Sequence, residues 1–338
     1  MSGPDGLHLR RGAPRGEQID ALATELGGRV GLNVLDDLNR RGRRSWAPGR
    51  AVDRAWTFDA ADRRDLRWWP QGVDVHGSVV AMTWYAKKLP GDSGSQGVRV
   101  TFFDLDTCRY RHVLLVQPTL VDGVPGVAPL RVHAGGLVWA GAHLQVAATG
   151  KGFWTARLDD VMRVPDGAAG ARVRADAFGY RYVLPVSVGH RAGADDGIER
   201  LRYSFFSRDG SDLIVGEYAA GAATRRLARI ALDPETLLPF TDAAGHAVPE
   251  VLGSGVGHMQ GAVRTGRGEG RWYVTTSHGR SRLGSVWTGT PGALTRHRWA
   301  TPMGPEDLSH DPATGELWSV TEHPWARWIY VMKRTWFD

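Results

Sequence analysis

Twelve histidines, 36 acidic residues and 14 tryptophans are the chemically versatile side chains of this 338-residue sequence, and none falls into a familiar catalytic signature. There is no G-x-S-x-G, no H-E-x-x-H, no P-loop and no G-x-G-x-x-G opening a helix, so the usual motifs for serine hydrolysis, zinc proteolysis and nucleotide binding are missing. What recurs is a position. Polar side chains stand just ahead of short apolar runs at Gln71, His133, Arg181, Gln260 and Glu306, flanked by Tyr182, His258 and Asp307. A second set stands where the next apolar run ends: Trp84, Tyr85, Lys87, Glu217, His278, Glu322 and His323.

Histidine exchanges a proton near neutrality, and a carboxyl that is desolvated or beside another acid has its pKa raised toward a useful range. His133 with Glu306 or Asp307 is therefore the expected general acid/base pair. Arg181 would hold an anion or a developing oxyanion, with Trp84, Tyr85 and Tyr182 as apolar walls. Gln71, Glu217, His258, Gln260, His278, Glu322 and His323 complete the expected substrate-binding set. Structural roles compete with these. Gln71, Gln260 and His133 could satisfy backbone groups left unpaired in a crowded channel, Glu306 and Asp307 could accept turn amides, and Arg181 could stack between two tyrosines. No cofactor is expected, with a structural calcium ion on Glu306, Asp307 and carbonyls as the alternative.

Residues this far apart meet only if the chain returns repeatedly to one place. Residues 17 to 41 carry apolar side chains at near-helical spacing, interrupted by Gly27 and Gly28. Beyond "WAPG" the texture changes to short β-branched and aromatic runs separated by Gly, Asp and Pro. Five segments share one plan of strand, turn and returning strands, starting near Gln71, His133, Arg181, Gln260 and Glu306, at intervals of about 62, 48, 79 and 46 residues. Such intervals fit four-stranded propeller blades. The third start is placed at "GYRYVLPVSVGH", paired with "SDLIVGEY". The last segment lacks an outer strand and the first is preceded by a spare one, "AVDRAWTFD" at 51 to 59; pairing the two would remove both sheet edges.

The expectation is an all-β fold: a five-bladed β-propeller over 51–338 closed by that N-terminal strand, after a short helical extension over 1–50. A two-sheet sandwich would not explain the recurrence. In "HAGGLVWAGAHLQVAATGKGF", residues 133 to 153, His133 then lies at the channel mouth, and Gly135 and Gly136 let inner strands crowd the axis. "DPATG" at 311–315 and "DPET" at 233–236 are hairpin turns, as is "GRGEG" at 266–270.

Bulk properties narrow the partners. The 42 Lys and Arg are interspersed with 36 acids for a net charge of +6, and the one basic run, Arg40 to Trp46, lies outside the repeats. No nucleic-acid partner is expected. A single cysteine, Cys108, excludes an internal disulfide and reads as an inert thiol in a turn. No run approaches 18 apolar residues and no leader pattern is visible, so no membrane partner and a cytoplasmic location are expected, or a secreted one if a leader has been removed. The expected partner is a small-molecule substrate, bound by a monomer.

With "WPQGV", "GVRVTFFD", "YRHVLLV", "HAGGLVW", "FGYRYVLP", "GEY", "QG" before "RWYV", and "EDLSHDP" through "LWSVTEHP" in that order, the chain resembles a group of actinobacterial proteins of uncharacterised activity, many described only as secreted. The resemblance spans most of residues 17 to 335 and implies no activity; an intracellular role in specialised metabolism is a conjecture beside it. Two function classes follow. One is a metal-independent lyase, cyclase or hydrolase using His133 with Glu306 or Asp307. The other is a glycan-binding module with Trp84, Tyr85 and Trp325 as stacking platforms. The five starts differ in residue type, which favours one asymmetric site and hence the enzyme.

Overall fold

Strands buried on both faces read as nearly continuous apolar runs, and that is how Leu137–Ala140 is built. The computed structural model describes residue 3 and residues 5–168, 170–266 and 270–338. It is all-β, with short α-helices at Gly16–Leu26, Ala60–Arg64 and Ala171–Asp176. The expected turn at 266–270 has its centre, 267–269, outside the described residues.

The strands form consecutive antiparallel meanders. The first is Trp68–His76, Val79–Ala86, Val98–Asp104 and Arg109–Val121, and the second is Leu137–Ala140, His143–Ala147, Gly152–Arg157 and Tyr182–Ala194. These two share one sheet through a parallel pairing of Val183–Pro185 with Leu114–Val116. The third is Phe205–Asp209, Asp212–Gly216, Arg226–Ala231 and Glu250–Ser254; the fourth is Met259–Thr265, Arg271–Thr276, Gly284–Thr290 and Ala293–Thr301. In the fifth, Pro305–Asp311, Glu316–Thr321 and Trp328–Lys333 are completed by Val52–Thr57, which places Trp56 opposite Ile329. The N-terminal strand expected to cover the last edge does so. Each meander's first strand packs beside the next, and Pro305–Asp311 returns to Trp68–His76.

One expected start is corrected. "GYRYVLPVSVGH" is not the first strand of the third meander but the fourth of the second, paired with Gly152–Arg157. It is reached after a long excursion through residues 158 to 181 that includes the helix Ala171–Asp176. That detour is longer than a hairpin needs, so the outer strand has the spacing of a new unit. The partner of "SDLIVG" is Phe205–Asp209.

The N-terminal segment lies against this assembly. Gly16–Leu26 buries Ile19, Leu22, Ala23 and Leu26 in the core that holds Trp84, Tyr110 and Val183. Gly27 ends the helix at φ 84°, a left-handed cap that suits glycine. Ahead of it, Leu7–Arg11 pairs with the outer strand of the second meander, Leu9 opposite Ala192, a strand the sequence pattern did not announce.

The first strands approach so closely that side chains are excluded. A Cβ on Gly136 would lie 2.2 Å from the Phe206 amide nitrogen, and one on Gly261 would lie 2.3 Å from the Asp307 carbonyl carbon. Two buried carboxyls link the same strands. Asp307 Oδ2 accepts the Val73 and Leu137 amides, both at 3.0 Å. Asp74 Oδ2 accepts the Trp139 amide at 2.7 Å, while its Oδ1 accepts the Ser309 hydroxyl. The hairpin turns are capped as their composition suggests: Asp311 accepts the Ala313 amide and Asp233 the Thr236 amide. Cys108 is a free thiol in a turn.

Candidate functional site

Antiparallel neighbours bring the start of each first strand to the same end of the molecule as the close of the second. The first strands of the first, fourth and fifth meanders are also bulged near their starts, between Pro70 and Val73, between Met259 and Gly261, and between Glu306 and Ser309. A bulge breaks the strict alternation of side chains and re-aims one residue. Here the bulges contain Gln71, Gln260 and Asp307.

The first and fifth meanders contribute a cluster at this mouth. Gln71 Nε2 donates to Glu322 Oε2 at 3.4 Å and to the Pro70 carbonyl at 2.7 Å. His323 Nδ1 lies 3.4 Å from Glu322 Oε1, and its ring meets Trp69 edge-on at 5.9 Å. Lys87 places its ammonium 3.0 Å from the Trp69 ring centroid, and Arg280 of the fourth meander lies 5.5 Å from the same ring. Tyr85 meets His133 edge-on at 4.5 Å.

The electrostatics separate the two glutamates. Glu306 is 4% exposed; burial, then the charges of Glu322 and Asp307, push its carboxyl well above the usual range, opposed only in part by Lys87. Glu322 is also raised by burial, an effect that Lys87, the Gln71 amide, Arg280 and Arg327 oppose without reversing. His323 is driven down to about 4 by burial and by Arg280, Lys87 and Arg327. His133 is held below its ordinary value by desolvation and then by Lys87. Tyr85 is pushed above its usual value by burial and by Glu322 and Glu306.

Other expected residues have different surroundings. Asp307 is fully buried, and burial raises its carboxyl well above the carboxylate range against the backbone hydrogen bonds that lower it. Its Oδ2 accepts two amides that link the first strands, while its Oδ1 is buried without a hydrogen-bond partner. Trp84 is not a wall of the mouth, and this corrects the expectation. Successive strand residues point to opposite faces, so where Tyr85 faces the mouth Trp84 is fully buried, with Arg99 and Arg327 at 4.5 and 5.4 Å. Arg181 and Tyr182 follow the corrected strand to the outer flank. There Arg181 pairs with Asp37 at 3.4 Å and the Tyr182 hydroxyl donates to Asp37 at 2.7 Å.

Glu217, also fully buried, serves as an anchor: burial would raise its pKa, but hydrogen bonds from Arg226 and from the Arg226 and Arg202 amides hold it below the ordinary value. Gln260 is half-buried in its bulge. His258 is exposed, 3.4 Å from the Tyr218 hydroxyl, and His278 Nε2 is 3.0 Å from Ser285 Oγ. Exposed Trp325 carries Arg64 at 4.9 Å. With Trp84 buried, the expected glycan platforms do not form one surface.

Sequence reasoning missed Trp69 and Arg280. Trp69 sits directly opposite Tyr85 in the strand register, so the pairing of "WWPQG" with "TWYAK" held the signal. Arg280 had none, because the loop that carries it follows no strand period.

No protein-family model matches the chain, and no curated protein matches it. Among solved structures, a GH43 β-xylosidase/α-arabinofuranosidase from a compost microbial metagenome is 10% identical, with TM-score 0.42 over 85% of this chain and 95% of that one. A gluconolactonase from Xanthomonas campestris is 15% identical, with TM-score 0.37 over 88% and 86%. A β-xylosidase is 11% identical, with TM-score 0.35 over 79% and 92%. At such scores none of them says what this chain does. Among the described residues no helix is long and apolar enough to cross a membrane.

Proposed function

We propose that residues 51–338 form a five-bladed β-propeller, with 1–50 as an extension laid on its rim, and that the axial mouth hydrolyses a small molecule. Glu306 is the general acid and Glu322 the general base. The observation that carries this reading is the asymmetry of the pair. Glu306 is buried beside other acids and is pushed well above the usual carboxyl range, whereas Glu322 is raised too but is held closer to that range by Gln71, Lys87, Arg280 and Arg327, so it gives up its proton before Glu306 does. Two neighbouring acids whose environments push their proton affinities apart supply both halves of an acid/base reaction.

In this scheme Glu322 draws a proton from a water molecule as it attacks, and Glu306 delivers its proton to the departing atom. Lys87 and Arg280 stabilise negative charge developing on the substrate. Tyr85 and His133 form one wall, so His133 contacts substrate rather than pairing with Glu306, and Asp307 keeps the first strands in register.

The test is a panel of chromogenic esters, lactones and glycosides offered to the wild type, then to Glu306→Gln and Glu322→Gln. Each variant should lose about 10²- to 10⁴-fold of the turnover seen with the wild type. Full activity in either variant, or no hydrolysis of any member by the wild type, refutes the assignment.

A further inference from the structure

Residues 277 to 283 join Arg271–Thr276 to Gly284–Thr290 at the rim of the axial mouth. Arg280 leans toward Trp69 in the mouth. Beside it, His278, Ser281, Arg282 and Leu283 join Arg296, Arg298 and Trp299 of the outer strand in lining a cleft of about 720 Å³. The cleft carries one sign of charge, because no carboxylate is among its lining residues. Elsewhere in the third and fourth meanders arginines are matched: Arg226 to Glu217, Arg229 to Glu250 and Arg264 to Asp209.

The cleft is also organised before any ligand arrives. Arg296 donates through Nε to Ser285 Oγ at 3.0 Å and through Nη2 to His278 Nε2 at 2.6 Å, with its guanidinium 5.7 Å from the Trp287 ring. A nitrogen that accepts from a guanidinium carries no proton, so the imidazole is neutral. Desolvation, then Arg296, His258 and Arg282, hold it that way. Three guanidiniums without a countercharge repel one another, and an anion of matching charge relieves all three. Guanidinium forks suit planar or tetrahedral oxyanions, and a phosphate group carries about −1.5 to −2 charges near neutrality, closer to the complement than a monocarboxylate.

We propose that this cleft is a subsite for a multiply charged tetrahedral oxyanion, the phosphate group of a substrate whose reacting end lies in the axial mouth. The subsite rests on the reading of that mouth as catalytic; the anion binding itself does not. Arg280 lies between the two regions and meets the connecting part of such a substrate.

The test is calorimetric titration of the full chain with inorganic phosphate, inorganic sulfate and acetate as separate probes. Phosphate or sulfate should bind at least about tenfold more tightly than acetate, and the double variant Arg282→Gln/Arg298→Gln should weaken that binding by about tenfold or more. Both substituted side chains are exposed, so the fold tolerates the change. The His278 titration followed by nuclear magnetic resonance should move upward when the preferred anion is added, as an adjacent negative charge requires. Phosphate and sulfate binding no tighter than acetate, or unchanged in the double variant, overturns the subsite. Glu306→Gln should bind the oxyanion like the wild type, so its loss of turnover reports on the mouth alone.

Discussion

Glu306→Gln should make the protein more stable at alkaline pH while it removes the proposed acid. In the folded chain Glu306 holds its proton more tightly than the ordinary value of 4.5. A group raised in this way contributes stability that is fully present below about 4.5 and lost as pH rises through its folded pKa. Each unit of displacement corresponds to about 1.4 kcal/mol. Between the ordinary and the raised values, wild type should therefore lose stability relative to the glutamine variant with a slope approaching about 1.4 kcal/mol per pH unit. The difference should be level below that interval and level again above it. Glutamine also suffers from burial, but its penalty does not vary with pH, so only the sloping interval belongs to the carboxyl. Urea unfolding followed by tryptophan fluorescence, repeated from about pH 4 to about pH 9, measures the difference directly. A difference that stays constant with pH would mean that Glu306 ionises as it does in the unfolded chain, and the acid assignment would fail with it.

Three further outcomes follow from the packing between the first strands and within the first meander. Gly261→Ala places a methyl 2.3 Å from the Asp307 carbonyl carbon, and chemical denaturation should show a loss of about 1–3 kcal/mol; an unchanged midpoint would mean that the strands can part. Asp74→Ala deprives the Trp139 amide of its acceptor, so hydrogen exchange at that amide should quicken and stability should fall by about 1–3 kcal/mol. His112, bonded to Asp62 at 2.9 Å and to Thr101 at 2.6 Å, titrates near 4 because burial, then Arg99, overcomes the attraction of Asp62. Its stabilising effect should be complete above about 6.5 and lost as pH falls through about 4, and an ordinary histidine titration by nuclear magnetic resonance would disprove the burial.

The strand order was legible wherever a short apolar run was flanked by glycine or a capped turn. Gly136 required a close approach and found one, and the spare run near Trp56 pointed to the open edge beside Ile329. The third meander was misjudged because an outer strand and an inner strand of this protein are both buried and both apolar. Only the detour through residues 158–181 told them apart, and a detour has no period to read. The same limit displaced Arg181 and Tyr182. Trp84 was a different error, since parity along a strand already assigns it and Tyr85 to opposite faces. The division of labour proposed for Glu306 and Glu322 lay beyond the sequence, because it depends on which cations the fold brings to each. So did Arg280, whose loop gains meaning only from its position beside Trp69.

Covering the last sheet edge with Val52–Thr57 sets a timetable for synthesis. The strand leaves the ribosome early, and its partner Trp328–Lys333 follows roughly 276 residues later, about 14–55 s at the usual rate of 5–20 residues per second. Throughout that interval the early strand is a hydrogen-bonding ribbon without its match, exposed to the same ribbon on neighbouring nascent chains. Dense translation of one message should therefore favour exchanged dimers, in which the ribbon of one polypeptide completes the last sheet of another, and slower initiation should suppress them.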